Sequence, residues 1–431
     1  MTAPAVGSLW SDRAFVRLWA ASSISYIGSF VTRTALPLAA IYVLGAGAIE
    51  ISTLRSVEFI GWLLVGLVAG AWVDRLRRRP VMIATDLGRA ILLASIPIAA
   101  IANALSLGQL IVVSFLVAIL STFFNSASVA YLPALVSRAR IVAANSALSA
   151  SESVAEFTGF AISGFLVQVL TAPIAIAVDA VSFVFSAFFL GTIRQAEPPP
   201  PKVADREPVL HEIREGIRLV AAQPILRALA AAHAGNHVLW GVFGATYLLF
   251  ATNEIGLGPA AIGIVAALGG AGSFVGAALA PRLARRFGVG HTMVGGLIGM
   301  TLGSILIPLA PGGAVVVGAA FLIVQHLVGD ASGSVDGVVE QSVTQSIVDD
   351  RILGRVNATV EFVTTVTALA GSVVGGVVAE LFGLRAALVI GVLGGAASAL
   401  IVWFSPARHL RTMPGLAVPP VPRAEDLPLT E

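Results

Sequence analysis

Long apolar runs alternate with short polar turns along most of the chain. Stretches of about 20 residues or more with few charges run from 18 to 44, 52 to 73, 81 to 102, 109 to 132, 145 to 170, 173 to 193, 225 to 252, 259 to 281, 291 to 310, 314 to 340, 357 to 382 and 385 to 404. A bilayer core about 30 Å thick is crossed by about 20 residues of α-helix, so each run predicts one crossing. The breaks fall at turn formers such as Ala46-Gly47, Leu107-Gly108, Gly258-Pro259 and Pro311-Gly312-Gly313. The runs lack the two-residue alternation of a transmembrane barrel, and unpaired backbone groups in lipid are costly. The expectation is an all-α polytopic membrane protein with twelve transmembrane helices.

Composition supports that class: 57% of residues are hydrophobic and only 12% charged, against about 25% charged in an ordinary soluble domain. Mean hydropathy is +0.92. Met1 to Asp12 holds no apolar core, so the first crossing is expected to serve as the targeting signal. The basic residues lie between apolar segments instead of on one soluble face, which argues against nucleic acid. All but Arg33, Arg55, Arg89 and Arg385 of the 26 basic residues fall at one set of alternate loops and the chain ends, which predicts both termini in the cytoplasm of a plasma-membrane protein. The chain has no cysteine, which excludes disulfides and thiolate metal sites.

Composition changes abruptly after Arg194, where four prolines (Pro198 to Pro201) precede Lys202, the only lysine. They predict an extended linker, followed by an amphipathic segment with Ile213, Ile217 and Val220 lying along the membrane surface. The expected organisation is an N-terminal arm (1–17), a six-helix bundle (18–193), a linker (194–224), a second six-helix bundle (225–404) and a polar, proline-rich tail (405–431). A shift of 212 residues superposes Asn145 on Asn357, Gly159 on Gly371 and Gly164 on Gly376. Parallel repeats of this kind predict two bundles around a central cavity, with the solute site near mid-depth.

Between the second and third runs lies Gly70-Ala71-Trp72-Val73-Asp74-Arg75-Leu76-Arg77-Arg78-Arg79-Pro80, in which Asp74 to Arg79 hold one acid and four arginines. Gly66 and Gly70 form a small-xxx-small face for close helix approach. This stretch resembles the loop signature of the major facilitator superfamily, the twelve-helix secondary transporters. Leu132-Pro133-Ala134-Leu135-Val136 with Asn145-Ser146-Ala147-Leu148, Asp179-Ala180-Val181-Ser182-Phe183, and Gly354-Arg355-Val356-Asn357-Ala358 resemble its macrolide and enterobactin exporter branch. The resemblance covers about residues 15 to 405. It implies two six-helix bundles of the major facilitator fold and proton-driven export of a small amphipathic molecule by a monomer in contact with membrane lipids. It also implies a cytoplasmic gate network at Gly70, Asp74, Arg75, Arg78 and Arg79, to which Asp86 and Arg89 are added. This chain has Arg77 where the family often has glycine, and Ser29 and Asn125 where acids are common. Its fifth run, Gly159 to Gly164, lacks the proline and one glycine of the antiporter motif.

A charge at the bilayer centre costs about 2.5 to 3.5 kcal/mol on insertion scales, so intramembrane ionisable residues point to function. Arg33, Glu58, Glu156 and Asp330 are the candidates for substrate contact and proton coupling. A cavity carboxylate whose cationic neighbour differs between two states can bind and release a proton. The structural alternative is that Arg55 and Glu58 simply pair, Glu152 bonds nearby helix ends, and Asp179 anchors its helix. His233 and His237, four apart, suit a polar cavity lining more than a metal site. No metal and no cofactor is expected. The glycine runs near 269–276 and 295–303 lack a lysine, which excludes a phosphate loop and leaves helix packing. No nucleophile-base constellation suggests an enzyme. The alternatives to an exporter are an importer of the same fold and a non-transporting membrane sensor or scaffold.

Overall fold

The computed structural model describes residues 9–73, 75–195, 197 and 209–415, and each regular element among them is helical. The helices are α1 (Arg13–Leu44), α2 (Ala48–Val73), α3 (Arg78–Ile101), α4 (Leu107–Leu135), α5 (Ile141–Leu170), α6 (Ala172–Thr192), α7 (Val209–Ala222) and α8 (Pro224–Leu249). They continue with α9 (Pro259–Phe287), α10 (Val289–Leu309), α11 (Val315–Gln325), α12 (Ala331–Ile347), α13 (Asp350–Phe382) and α14 (Leu384–Trp403). Two π-helical turns interrupt the second half, Phe250–Ile255 after α8 and His326–Asp330 between α11 and α12. The latter joins α11 and α12 into one 33-residue crossing. Among the described residues eleven helices are long and apolar enough to cross a membrane, and the 26-residue α2 lies between two of them. Asp74, the prolines from Pro198, Lys202 and the tail from 416 lie outside the described residues.

The helices form two six-helix bundles. In the first, α1 packs on α5 and α6, α2 on α4, and α3 on α4 and α6; in the second, α8 packs on α13 and α14, and α12 on α9 and α10. Asp12 caps α1 through its side chain, which accepts from the N–H of Ala14 at 3.1 Å, and Gly45 ends α1 in the left-handed region at φ 64°. The starts of α1 and α3 meet the end of α6: Arg17 Nη1 donates to the Thr192 carbonyl at 2.6 Å, and Arg79 Nε to that of Leu190 at 2.8 Å. These ends define a terminal face, where the described chain also begins and finishes. At the opposite face Arg385 holds the second bundle together. It donates to Glu254 at 2.8 Å and to the Pro308 and Ala310 carbonyls, which are unpaired at the C-terminus of α10.

The bundles meet through α5 on α9 and α2 on α13. The glycines that recur at a 212-residue shift make these contacts in matching pairs. Gly159 faces Phe30 of α1, and Gly371 faces Val238 of α8, so each lets its helix close on the first helix of its own bundle. Gly164 faces Pro259 and Gly263 of α9, and Gly376 faces Ser52 and Ala48 of α2, so each closes on the other bundle. Equivalent glycines doing equivalent work is the packing signature of a duplicated unit. Ser372 adds a hydrogen bond to the Ser52 carbonyl at 3.2 Å across the same seam. These inter-bundle contacts lie toward the opposite face, since Gly164 is near the end of α5 and Gly263 near the start of α9.

Helix α7 packs on α13 and α8, with Gly216 against Arg355 and Thr359. Val220 is buried as its spacing predicts, while Ile217 is exposed.

Gly164→Leu and Gly376→Leu each overfill the seam at the opposite face. The expected penalty is about 1–3 kcal/mol on the state in which that face is closed. Spin-label distances across the face should lengthen in both variants, while the native distribution stays short.

Candidate functional site

The charged residues of the first bundle converge at mid-depth. Arg33 lies two-thirds of the way along α1, and its backbone carbonyl accepts from Arg55 Nη2 of α2 at 3.2 Å. Arg55 also pairs with Glu58, one turn on, at 3.1 Å. Its Nε is buried without a partner, so its guanidinium is only partly satisfied. Arg33 is exposed and lies within electrostatic reach of Arg55, Glu58 and Glu156. Three of the four sequence-derived candidates, from α1, α2 and α5, are therefore brought together.

Helix α5 presents a polar stripe to this group. Asn145, Ser149, Glu152 and Glu156 recur at one-turn spacing and are all exposed, as is Ser153 beside them. Glu152 lies within reach of Tyr26 and Glu156. On α13, Asn357 and Glu361 repeat the pattern and are exposed too. Carboxylates turned to hydrocarbon would be strongly disfavoured, so exposed stripes of this kind call for water beside them. The glycine seams that join the bundles lie toward the opposite face, so both stripes stand on the terminal side of those seams.

Asp330 stands apart from that group. It ends the π-helical turn, where His326 Nδ1 sits 2.7 Å from its Oδ2 and Gln325 Nε2 donates to its Oδ1 at 3.4 Å. The Tyr247 hydroxyl of α8 meets His326 Nε2 at 3.0 Å, extending the chain to Tyr247-His326-Asp330. Gly269 of α9 makes room for it, since a methyl there would overlap the Asp330 carboxylate and the His326 ring. The four-residue spacing of His326 and Asp330 was visible in the sequence; Tyr247, on another helix, was not. Nearer the terminal face, His233 Nδ1 lies 3.0 Å from Glu340 Oε2, and the His233 and His237 rings stack at 4.7 Å. Glu361 adds its field to His233. The histidine pair thus has an acid on a neighbouring helix, which sequence reading did not assign. Among the described residues no group of three or more His, Cys, Asp or Glu side chains is placed to hold a metal ion.

The charged turn after α2 is only partly described, because Asp74 lies outside the described residues. Gly70 is within α2 and Arg75 is exposed beyond it. Arg78 and Arg79 grip the far end of their own bundle. The Arg78 N–H donates to Glu197 at 2.8 Å and its guanidinium pairs with the same carboxylate at 3.3 Å. Arg79 reaches the carbonyls of Leu190, which also accepts from the Ile193 N–H, and Gly191 at the end of α6. Asp86 and Arg89 sit deeper in the same bundle, as a buried ion pair between α3, α4 and α6. Arg89 also donates to Ser121 at 3.3 Å, and lies between the rings of Phe124 and Phe183 at 4.4 and 4.0 Å. Asp179 accepts from Ser182 at 2.9 Å and lies within reach of Arg89. Its helix closes on Gly28 of α1, where a methyl would overlap the Asp179 carboxylate.

Comparison with known proteins agrees with this architecture. The family model described as Major Facilitator Superfamily matches residues 18–329 and 229–425. The chain is 26% identical over 394 residues to the uncharacterized MFS-type transporter YfiS of Bacillus subtilis (strain 168), covering 88% of this chain and 90% of that one. It is 29% identical over 210 residues to the multidrug efflux pump Tap of Mycolicibacterium fortuitum, covering 47% of this chain and 51% of the pump. Among solved structures it is similar to a bacterial homolog of the human lysosomal transporter Spinster in an inward-facing, unoccupied conformation. That likeness has a TM-score of 0.72 at 15% identity, over 92% of this chain and 97% of the other, and is one of fold.

Removing one member of the buried pair strands the other. Arg89→Leu should lower stability by about 3–5 kcal/mol by leaving Asp86 uncompensated. Asp86→Asn with Arg89→Leu should recover part of that loss; thermal unfolding of the single and double variants checks it.

Proposed function

The chain belongs to the Major Facilitator Superfamily and is a membrane transporter, and from that membership we propose that it exports small amphipathic molecules by alternating access, driven by inward proton flow. The observation that carries this reading is the convergence of Arg33, Glu58 and Glu156 from three helices at mid-depth, which with the exposed stripes of α5 and α13 supports a water-filled vestibule between the bundles. A group of that kind is costly in a membrane unless it moves ions or solute.

The positive-inside pattern supports a cytoplasmic terminal face, and on that reading the vestibule opens inward, where an exporter loads. Solute enters past the α5 and α13 stripes and meets the charged group. Glu156, exposed and facing Arg33, is the proposed proton carrier of the first bundle; Asp330, held by His326, is that of the second. A proton on Glu156 removes the charge that Arg33 faces and so changes the balance between open and closed bundles. Rocking about the α5/α9 and α2/α13 seams then exposes the site to the other side. The Arg55–Glu58 pair holds α2 beside α1 in this state, and Arg78 and Arg79, with Asp74 and Arg75, form the proposed gate. The name of the Mycolicibacterium relative, a multidrug efflux pump, supports export of chemically varied solutes.

Proteoliposomes with an imposed proton gradient and a fluorescent amphipathic dye test the reading. Glu156→Gln and Asp330→Asn should each slow gradient-driven dye movement by about tenfold or more, equivalent to a barrier raised by ~1.4 kcal/mol, with unfolding temperature unchanged. Native rates in both variants would remove these residues from the coupling path. Dye binding without any gradient-driven movement by the native protein would favour a sensor of the same fold.

A further inference from the structure

A small cavity of about 50 Å³ lies inside the second bundle, between α8, α10, α12 and α14. Its polar wall is His233 and Asn236 from α8 with Asp336 and Glu340 from α12; Met293 and Leu297 of α10 form part of its apolar wall. Asp336 is only 6% exposed, and its Oδ1 has no hydrogen-bond partner; the Asn236 Oδ1 is buried and unpartnered as well. Native proteins rarely leave two buried acceptors facing one space, because each unmet group destabilises the fold. What that space lacks is a positive or donating occupant.

Charge narrows the choice. Asp336 and Glu340 are one turn apart on α12 and both face the cavity, and its lining holds no arginine or lysine among the described residues. His233, in contact with Glu340 at 3.0 Å, offers one positive charge at most. With both carboxylates ionised, the one imidazole leaves at least one negative charge uncompensated at membrane depth, which a single monovalent cation balances. The donors are oxygens, which suit a hard ion. Three side chains supply these oxygens, and a cavity of about 50 Å³ has room for one ion with water completing its shell.

We propose that Asp336, Asn236 and Glu340 form a buried binding site for one alkali cation, of sodium size, in the second bundle. His233 and Glu340 both line the cavity and contact each other, with side chains 34% and 14% exposed, so the proposed way in passes this pair. The site is independent of which solute the transporter carries and in which direction.

Binding of ²²Na⁺ to the purified full chain in detergent tests the proposal directly. One saturable ion per chain is expected, displaced by unlabelled sodium and not by choline. The unfolding temperature should be higher in sodium chloride than in choline chloride of equal ionic strength. Asp336→Asn should abolish saturable binding and the sodium-dependent shift, and Asn236→Ala should weaken binding several-fold without altering charge. Absence of saturable binding by the native chain overturns the proposal, as would equal binding by Asp336→Asn; a protonated Asp336 beside a trapped water gives that first result. Because binding is measured on the native chain, the proposal stays testable if a variant does not fold.

Discussion

An ionisable side chain within a bilayer has two stable fates: it is paired inside protein, or it reaches water. The placement of charge in this chain follows from that constraint. Arg89 and Asp86 take the first course, locked together between three helices with two aromatic rings against the guanidinium. Glu152, Glu156 and Glu361 take the second, exposed on helices that border the space between the bundles. Asp330 is intermediate, beside His326, and Arg33 is exposed within reach of Glu58 and Glu156. The proposed vestibule thus answers a requirement of these charges as well as offering a route for solute.

Close helix packing makes the division possible. Glycines at 159 and 371 seat α5 and α13 on the first helices of their bundles, and those at 164 and 376 seat the same helices across the seam. One pair of helices therefore carries both intra-bundle and inter-bundle contacts, together with the polar stripes at the other end. In the proposed rocking, these two helices are what would carry movement at the seam to the stripes. The π-helical turn at His326–Asp330 adds a local change of register that directs His326 and Asp330 toward the same point, with Gly303 facing Gly329 behind them.

Much of this was legible in the sequence, for definite reasons. Helical crossings are set by apolar runs and end at Gly and Pro turns, so the helices fall close to their expected places; α1 starts earlier, at Arg13, because Asp12 caps it. The pairing of Arg55 with Glu58 follows from a three-residue spacing on one helix. The 212-residue echo of glycines was legible as pattern, but that each pair faces the same kind of neighbour needed the coordinates. Contacts between helices were not readable at all. Glu340 meets a histidine 107 residues away, Tyr247 meets His326 across 79, and Asn236 shares a cavity with Asp336. Asp336 and Glu340 are one turn apart in the sequence as well, but nothing there distinguishes an acid facing a closed pocket from one facing open water.

The water-filled vestibule is the central claim, and thiol labelling at one position tests it most directly, since the native chain has no cysteine. Ser153 is exposed on α5, beside the Glu152 and Glu156 stripe. A Ser153→Cys variant in sealed vesicles should react with a charged, membrane-impermeant thiol reagent supplied at the terminal face. Protection from that reagent at both faces, with reaction only to a lipid-soluble maleimide, would place the stripe in hydrocarbon or solid protein and contradict the account.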